Sequence, residues 1–137
     1  MNNPLKSTMS SQRYFLLFVG TIIIALLSRK FDQYIPPPIH KNAGDTLWAT
    51  TAFWFFRMAL PRKSTAAVLT ATASTCVLIE FQKPLQLPLL ETLRQLPGGR
   101  LIFGFVFSWG DLYCYFIGIG LAVALERLMR VREDIRS

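Results

Sequence analysis

The stretch LIFGFVFSWGDLYCYFIGIGLAVAL, residues 101–125, decides which solvent this chain is built for. Its only charge is Asp111, whereas an amphipathic helix of a water-soluble protein places polar side chains at every third or fourth position. A bilayer core asks for about 20 apolar helical residues, and this run is long enough. It reads as a transmembrane helix, and the remainder of the chain is read outward from it.

The composition agrees. Hydrophobic residues make up 52% of the 137 and charged ones only 17%, which is too apolar for a water-facing surface. A formal charge of +7 could suit nucleic acid, but the Lys and Arg residues sit in short clusters between apolar runs rather than along one polar face. No nucleic-acid partner is expected, and the bilayer itself is the expected environment. Cys76 and Cys114 lie inside apolar runs and behave as small hydrophobes. His40 follows three prolines with no second His nearby, so neither a metal nor another cofactor is expected.

Three further apolar segments precede the first: Tyr14–Lys30, Asp45–Leu60 and Ser64–Phe81, none with an internal proline. A polar start followed by Tyr14–Leu27 has the outline of a signal peptide. No small-x-small cleavage site follows it and more spans lie downstream, so it reads as a retained span. The expectation is an all-α, polytopic membrane protein: one four-helix transmembrane bundle over residues 14–125, a tail over 1–13 and a basic tail over 126–137. Ile35-Pro36-Pro37-Pro38-Ile39 predicts a stiff extended loop, and Pro61-Arg62-Lys63 a tight hairpin between spans two and three. Leu89, Leu90, Leu93 and Leu96, closed by Pro97-Gly98-Gly99, predict a short helix lying at the membrane interface, with Glu91 and Arg94 near the headgroups.

Four spans place the tails and the hairpin on one side. That side holds nine of the fifteen Lys and Arg residues and the other six, which predicts cytoplasmic termini. The polar residues near the spans then gather toward the extracytoplasmic half: Arg29, Asp45, Glu80, Gln82, Arg94, Asp111 and Tyr115. With a span starting at Leu101, Asp111 would lie about 15 Å deep. An Asp at a helix centre costs about 3 kcal/mol, so such residues face the bundle interior and mark function. Gly104, Ser108, Asp111, Tyr115 and Gly118 share one face by their spacing, and Thr72, Cys76 and Glu80 form a row on the third span that could face it. Glu80 and Asp111 are the candidate catalytic carboxylates, with Arg29 or Arg94 as counter-ions; Asp45, Gln82, Arg94, Tyr115 and Arg29 are candidate binding residues. Asp45 is otherwise a helix cap, Arg57 and Lys63 read as interfacial anchors, and the three tryptophans as packing or interfacial aromatics.

Gly44-Asp45-x-Leu47-Trp48, Arg57, Glu80-x-Gln82, Leu93-Arg94, Gly104, Phe107, Trp109, Asp111-Leu112, Tyr115 and Gly118, in that order, resemble domain of unknown function family 2809, small bacterial membrane proteins. The resemblance spans Tyr14 to Leu125. More distantly the pattern is similar to VanZ-like proteins, although Glu80-x-Gln82 is one residue shorter than their motif and their His after the first Asp is absent. The family resemblance implies a four-helix fold in a bacterial plasma membrane and no particular reaction. The functions left open are action on a lipid-linked or envelope precursor at an outward polar site, packing as a subunit against a membrane protein partner, and a small oligomeric transporter.

Overall fold

The computed structural model describes residues 11–34, 36–97, 99 and 107–136. Among these the fold is all-α, with helices α1 (Ser11–Lys30), α2 (Pro37–Ala59), α3 (Thr65–Gln82), α4 (Pro88–Gln95) and α5 (Trp109–Arg136), and a single 3-10 turn at Asp32–Tyr34. Gly104 and the predicted span start at Leu101 lie outside the described residues.

Two boundaries differ from expectation, each for a local reason. The proline run does not stay extended. Pro36 alone keeps an extended backbone (φ −53°, ψ 139°), and Pro37 and Pro38 open α2. Proline is tolerated in a first turn because the amide hydrogens it lacks would have no partner there anyway. Asp45 is consequently more than two turns inside α2 and does not cap it. At the other end of the sequence, α5 starts at Trp109 and runs on to Arg136. Asp111 therefore sits in the first turn of its helix rather than ten residues deep, because Phe107 and Ser108 are not helical.

The remaining ends follow simple chemistry. Ser64 caps α3 by accepting a hydrogen bond from the Ala67 amide at 3.2 Å, which satisfies a donor the helix leaves open. The hydroxyls of Thr21, Ser28, Thr70 and Thr75 bond to carbonyls three or four residues back, at 2.7–2.8 Å. That is how a hydroxyl is satisfied on an otherwise apolar helix.

α2 is the centre of the fold, packing most extensively on α5 and α1 and also on α3. Ala49, Phe53 and Trp54 on it are completely buried. α5 approaches it at Gly118, where an added Cβ would run into the Thr46 carbonyl. The Thr50 hydroxyl uses this closeness to donate to the Gly118 carbonyl at 3.0 Å, as small residues permit between membrane helices.

α1, α3 and α5 are each long and apolar enough to cross a membrane, with mean hydropathies of 1.6, 1.2 and 1.5 over their best windows. Their outer faces carry Leu16, Ile24, Leu78, Phe116, Ile117 and Leu121, all more than half exposed. Water would not tolerate that much continuous apolar surface on a monomer, and acyl chains would. The interior holds charged groups as well as apolar ones, among them Arg57, Glu80, Lys83, Arg94, Asp111 and Glu126. These helices place the protein in or against a lipid bilayer.

Candidate functional site

At the end of the bundle where α3 finishes and α5 begins, three charged side chains meet away from solvent. Glu80 closes the buried row Val68, Thr72, Cys76, Glu80 on α3. Lys83 follows one residue after the helix, and its ammonium lies 2.6 Å from Glu80 Oε2 and 3.1 Å from Asp111 Oδ2. Glu80 is fully buried, Asp111 4% and Lys83 8% exposed. The other Glu80 oxygen, Oε1, accepts the Ser108 amide hydrogen at 2.8 Å, just ahead of the amino end of α5, where the helix dipole favours a negative charge. One carboxylate thus fixes both the lysine and the start of the next helix.

Tyr115 stands one turn further along α5 and feels the charges of Asp45, Glu80 and Asp111. Its ring lies 5.9 Å from Trp48 of α2 and 6.0 Å from the Lys83 ammonium. Among the described residues, the Lys83 ammonium pairs with both Glu80 and Asp111. Such a cluster can hold or pass a proton in a medium where a buried charge is costly. Among the described residues no set of three or more His, Cys, Asp or Glu could hold a metal ion.

The structure rearranges several of the expected partners. The cation between the two carboxylates is Lys83, just past the end of α3, rather than Arg29 or Arg94. Arg29 is exposed at the end of α1. Arg94 is 3% exposed and faces inward from α4, donating to the carbonyls of Lys83 at 3.0 Å and Leu85 at 3.4 Å. It also reaches Gln82 Oε1 at 3.4 Å, while the Gln82 amide donates back to Ile79 of its own helix at 2.7 Å. The guanidinium therefore clamps the α3–α4 connection. Beside it opens a cavity of about 510 Å³ lined by Lys83, Pro84, Gln86, Leu87, Pro88, Glu91 and Arg94, so Lys83 is shared between the buried cluster and this opening.

A second buried cluster occupies the opposite end. Arg57, expected as an interfacial anchor, is 2% exposed, and Glu126, expected in a tail, is 1% exposed. They pair at 2.8 Å. Glu126 also accepts from the Tyr14 hydroxyl at 3.2 Å and from Arg130 at 2.5 Å. Arg57 completes its set with the Lys63 carbonyl at 2.9 Å and the Thr65 hydroxyl at 2.8 Å. This network ties α1, the α2–α3 hairpin and α5 together. The signal for it was present: the row Asp111, Tyr115, Gly118 continues in steps of four to Ala122 and Glu126, all buried.

A family model described as Protein of unknown function (DUF2809) matches residues 34–119. The chain belongs to this family. The DUF2809 match contains Asp45, Glu80, Lys83, Arg94, Asp111 and Tyr115, which is the whole of the first cluster, and stops short of Glu126. No solved structure matches the chain.

Proposed function

We propose that this DUF2809 protein is a four-span protein of a bacterial plasma membrane, in which α2 is the fourth span, and that the Glu80–Lys83–Asp111 cluster is its working site. α2 has the length for it: 23 residues, about 35 Å at 1.5 Å per residue. It packs on α1, α3 and α5, so protein covers part of its surface and its polar residues need not all face lipid. The helices alternate in direction, so Asp45, Glu80 and Asp111 share one end, opposite Arg57, Arg130 and Arg132. With more Lys and Arg on the latter side, the site opens away from the cytoplasm.

The observation that carries the reading is a pair of carboxylates from two different helices sharing one lysine, all three less than a tenth exposed, at the edge of an open cavity. A merely structural contact between α3 and α5 would be cheaper as a hydrogen bond between neutral groups. In this reading Asp111 and Glu80 handle a proton for the headgroup of a lipid-linked or envelope precursor that enters beside Lys83 and α4 from the bilayer surface. α4 suits that position, with Leu89 and Leu96 exposed and Arg94 turned in.

A second reading, a non-catalytic subunit packed on a membrane partner, draws on the exposed face of α3. There Ala66, Thr70 and Ser74 recur in steps of four, a spacing that lets another helix approach closely. One experiment separates the two. Membrane lipids of a strain lacking the gene are compared with those of strains restored by the wild type, Asp111→Asn or Glu80→Gln at matched protein level. A precursor that accumulates in the deletion and in both variants, and clears with the wild type, is the expected result. Full restoration by both variants would remove the site and leave the packing subunit.

A further inference from the structure

The opposite end of the bundle holds a second opening with a different character. A groove of about 450 Å³ lies between the start of α1 and the end of α5, lined by Arg13, Met129, Arg132, Glu133 and Arg136. The α5 members follow the helical sequence i, i+3, i+4, i+7 and so form one stripe, with Arg13 facing them from α1. Arg13 and Glu133 form an ion pair across the groove. Among the described residues that line it, three guanidinium groups face one carboxylate, an excess of two positive charges in the lining. Arg130 does not contribute to it, since its charge is spent on the buried Glu126.

The surroundings of the groove say what kind of anion it suits. On the neighbouring face of α1, Ser11, Gln12, Phe15 and Leu16 line a shallow apolar depression of about 460 Å³, and Phe15 and Leu16 are 56% and 67% exposed. α5 has 28 residues, about 42 Å of helix against a hydrocarbon core of about 30 Å. If its apolar portion spans, its last turns emerge at the headgroup level, and the groove emerges with them. A guanidinium cluster above an apolar helix face at that depth matches a molecule with a phosphate at one end and acyl chains at the other.

We infer that the Arg13–Arg132–Arg136 groove is a binding site for an anionic glycerophospholipid of the leaflet it faces, with the phosphate held between the arginines and an acyl chain lying along Phe15 and Leu16. Arg132 and Arg136 present paired donors to the phosphate oxygens, and Glu133 holds Arg13 in place rather than meeting the lipid. This site is independent of the Glu80–Lys83–Asp111 cluster at the other end and stands whether or not that cluster is chemical.

The test is native mass spectrometry of the purified protein released from vesicles of phosphatidylcholine with phosphatidylglycerol, counting which lipid stays bound. The wild type is expected to retain phosphatidylglycerol in preference. Each arginine near a membrane surface is worth about a five-fold preference for anionic lipid, so Arg132→Gln with Arg136→Gln should lower the preference about 30-fold. Arg136→Lys, which keeps the charge, should keep most of it. Both positions are exposed, and an unchanged helical circular dichroism signal confirms that the variants fold. Equal retention of the two lipids by the wild type, or an unchanged preference in the double variant, would overturn the inference. Displacement of phosphatidylglycerol by millimolar inorganic phosphate would assign the groove to free anions and overturn it equally.

Discussion

Replacing Glu126 with alanine should damage this protein more than any exposed substitution, and the damage should be repairable by removing a second charge. Glu126 is 1% exposed and is the common acceptor for Arg57, Tyr14 and Arg130. Without it Arg57, itself 2% exposed, keeps the Lys63 carbonyl and the Thr65 hydroxyl and the rings of Tyr14 and Phe53 at 6.0 and 5.9 Å, and a full positive charge stays buried without the Glu126 carboxylate. Breaking a buried pair from one side costs about 3–5 kcal/mol. Glu126→Gln keeps the shape and one acceptor oxygen, so its cost should fall to about 1.5–3 kcal/mol, the worth of a hydrogen bond to a charged group. Arg57→Met in the Glu126→Leu background removes both charges and should cost less than Glu126→Ala alone, since the desolvation of two ions goes with their attraction. Unfolding by sodium dodecyl sulfate titration of the protein in mixed micelles, followed by circular dichroism, measures all three variants. The reasoning fails if Glu126→Ala costs under about 1 kcal/mol, or if the double variant costs as much as Glu126→Ala or more.

Two other predictions concern packing and topology. Gly118→Ala drives a methyl group into the Thr46 carbonyl and within 3.1 Å of the Ala49 Cβ, so α2 and α5 must separate at a cost of about 1–3 kcal/mol. Gly120→Ala, two residues away and facing open space, should be neutral or stabilising by up to about 1 kcal/mol; the same micelle titration reads both, and equal effects would mean that the close approach is not there. A reporter active only in the cytoplasm, fused after Ser137, should be active, because the end of the bundle carrying Arg57 and the arginines of α5 holds the majority of the basic residues. Activity only from an extracytoplasmic reporter would invert the bundle and put the Glu80–Lys83–Asp111 cluster on the inner face.

What was legible in the sequence is what depends on one helix at a time. The apolar runs announced α1, α3 and most of α5, because a side chain facing lipid must be apolar whatever its neighbours are. The 3.6-residue period put Thr72, Cys76 and Glu80 on one buried face; of the other expected row, Asp111, Tyr115 and Gly118 are buried, while Ser108 precedes the helix and Gly104 lies outside the described residues. Leu89, Leu90 and Leu93 gave α4 with nearly its true ends. The paired carboxylates could be suspected for a thermodynamic reason: an acid in an apolar segment needs company.

Which company it keeps was decided only by the tertiary structure. Lys83, Arg29 and Arg94 are all cations near helix ends, and nothing in their order separates them. The turn after α3 brings the Lys83 ammonium between Glu80 and Asp111, while α4 folds back so that Arg94 spends itself on backbone carbonyls. The pairing of Arg57 with Glu126 spans 69 residues and exists because α2 and α5 pack side by side with Gly118 between them. The helix starts were also beyond the sequence pattern. Hydropathy marks where a helix may sit in lipid, but its first residue is set by which backbone groups find partners, at Pro37 by needing none and near Trp109 by the amide of Ser108 turning to Glu80.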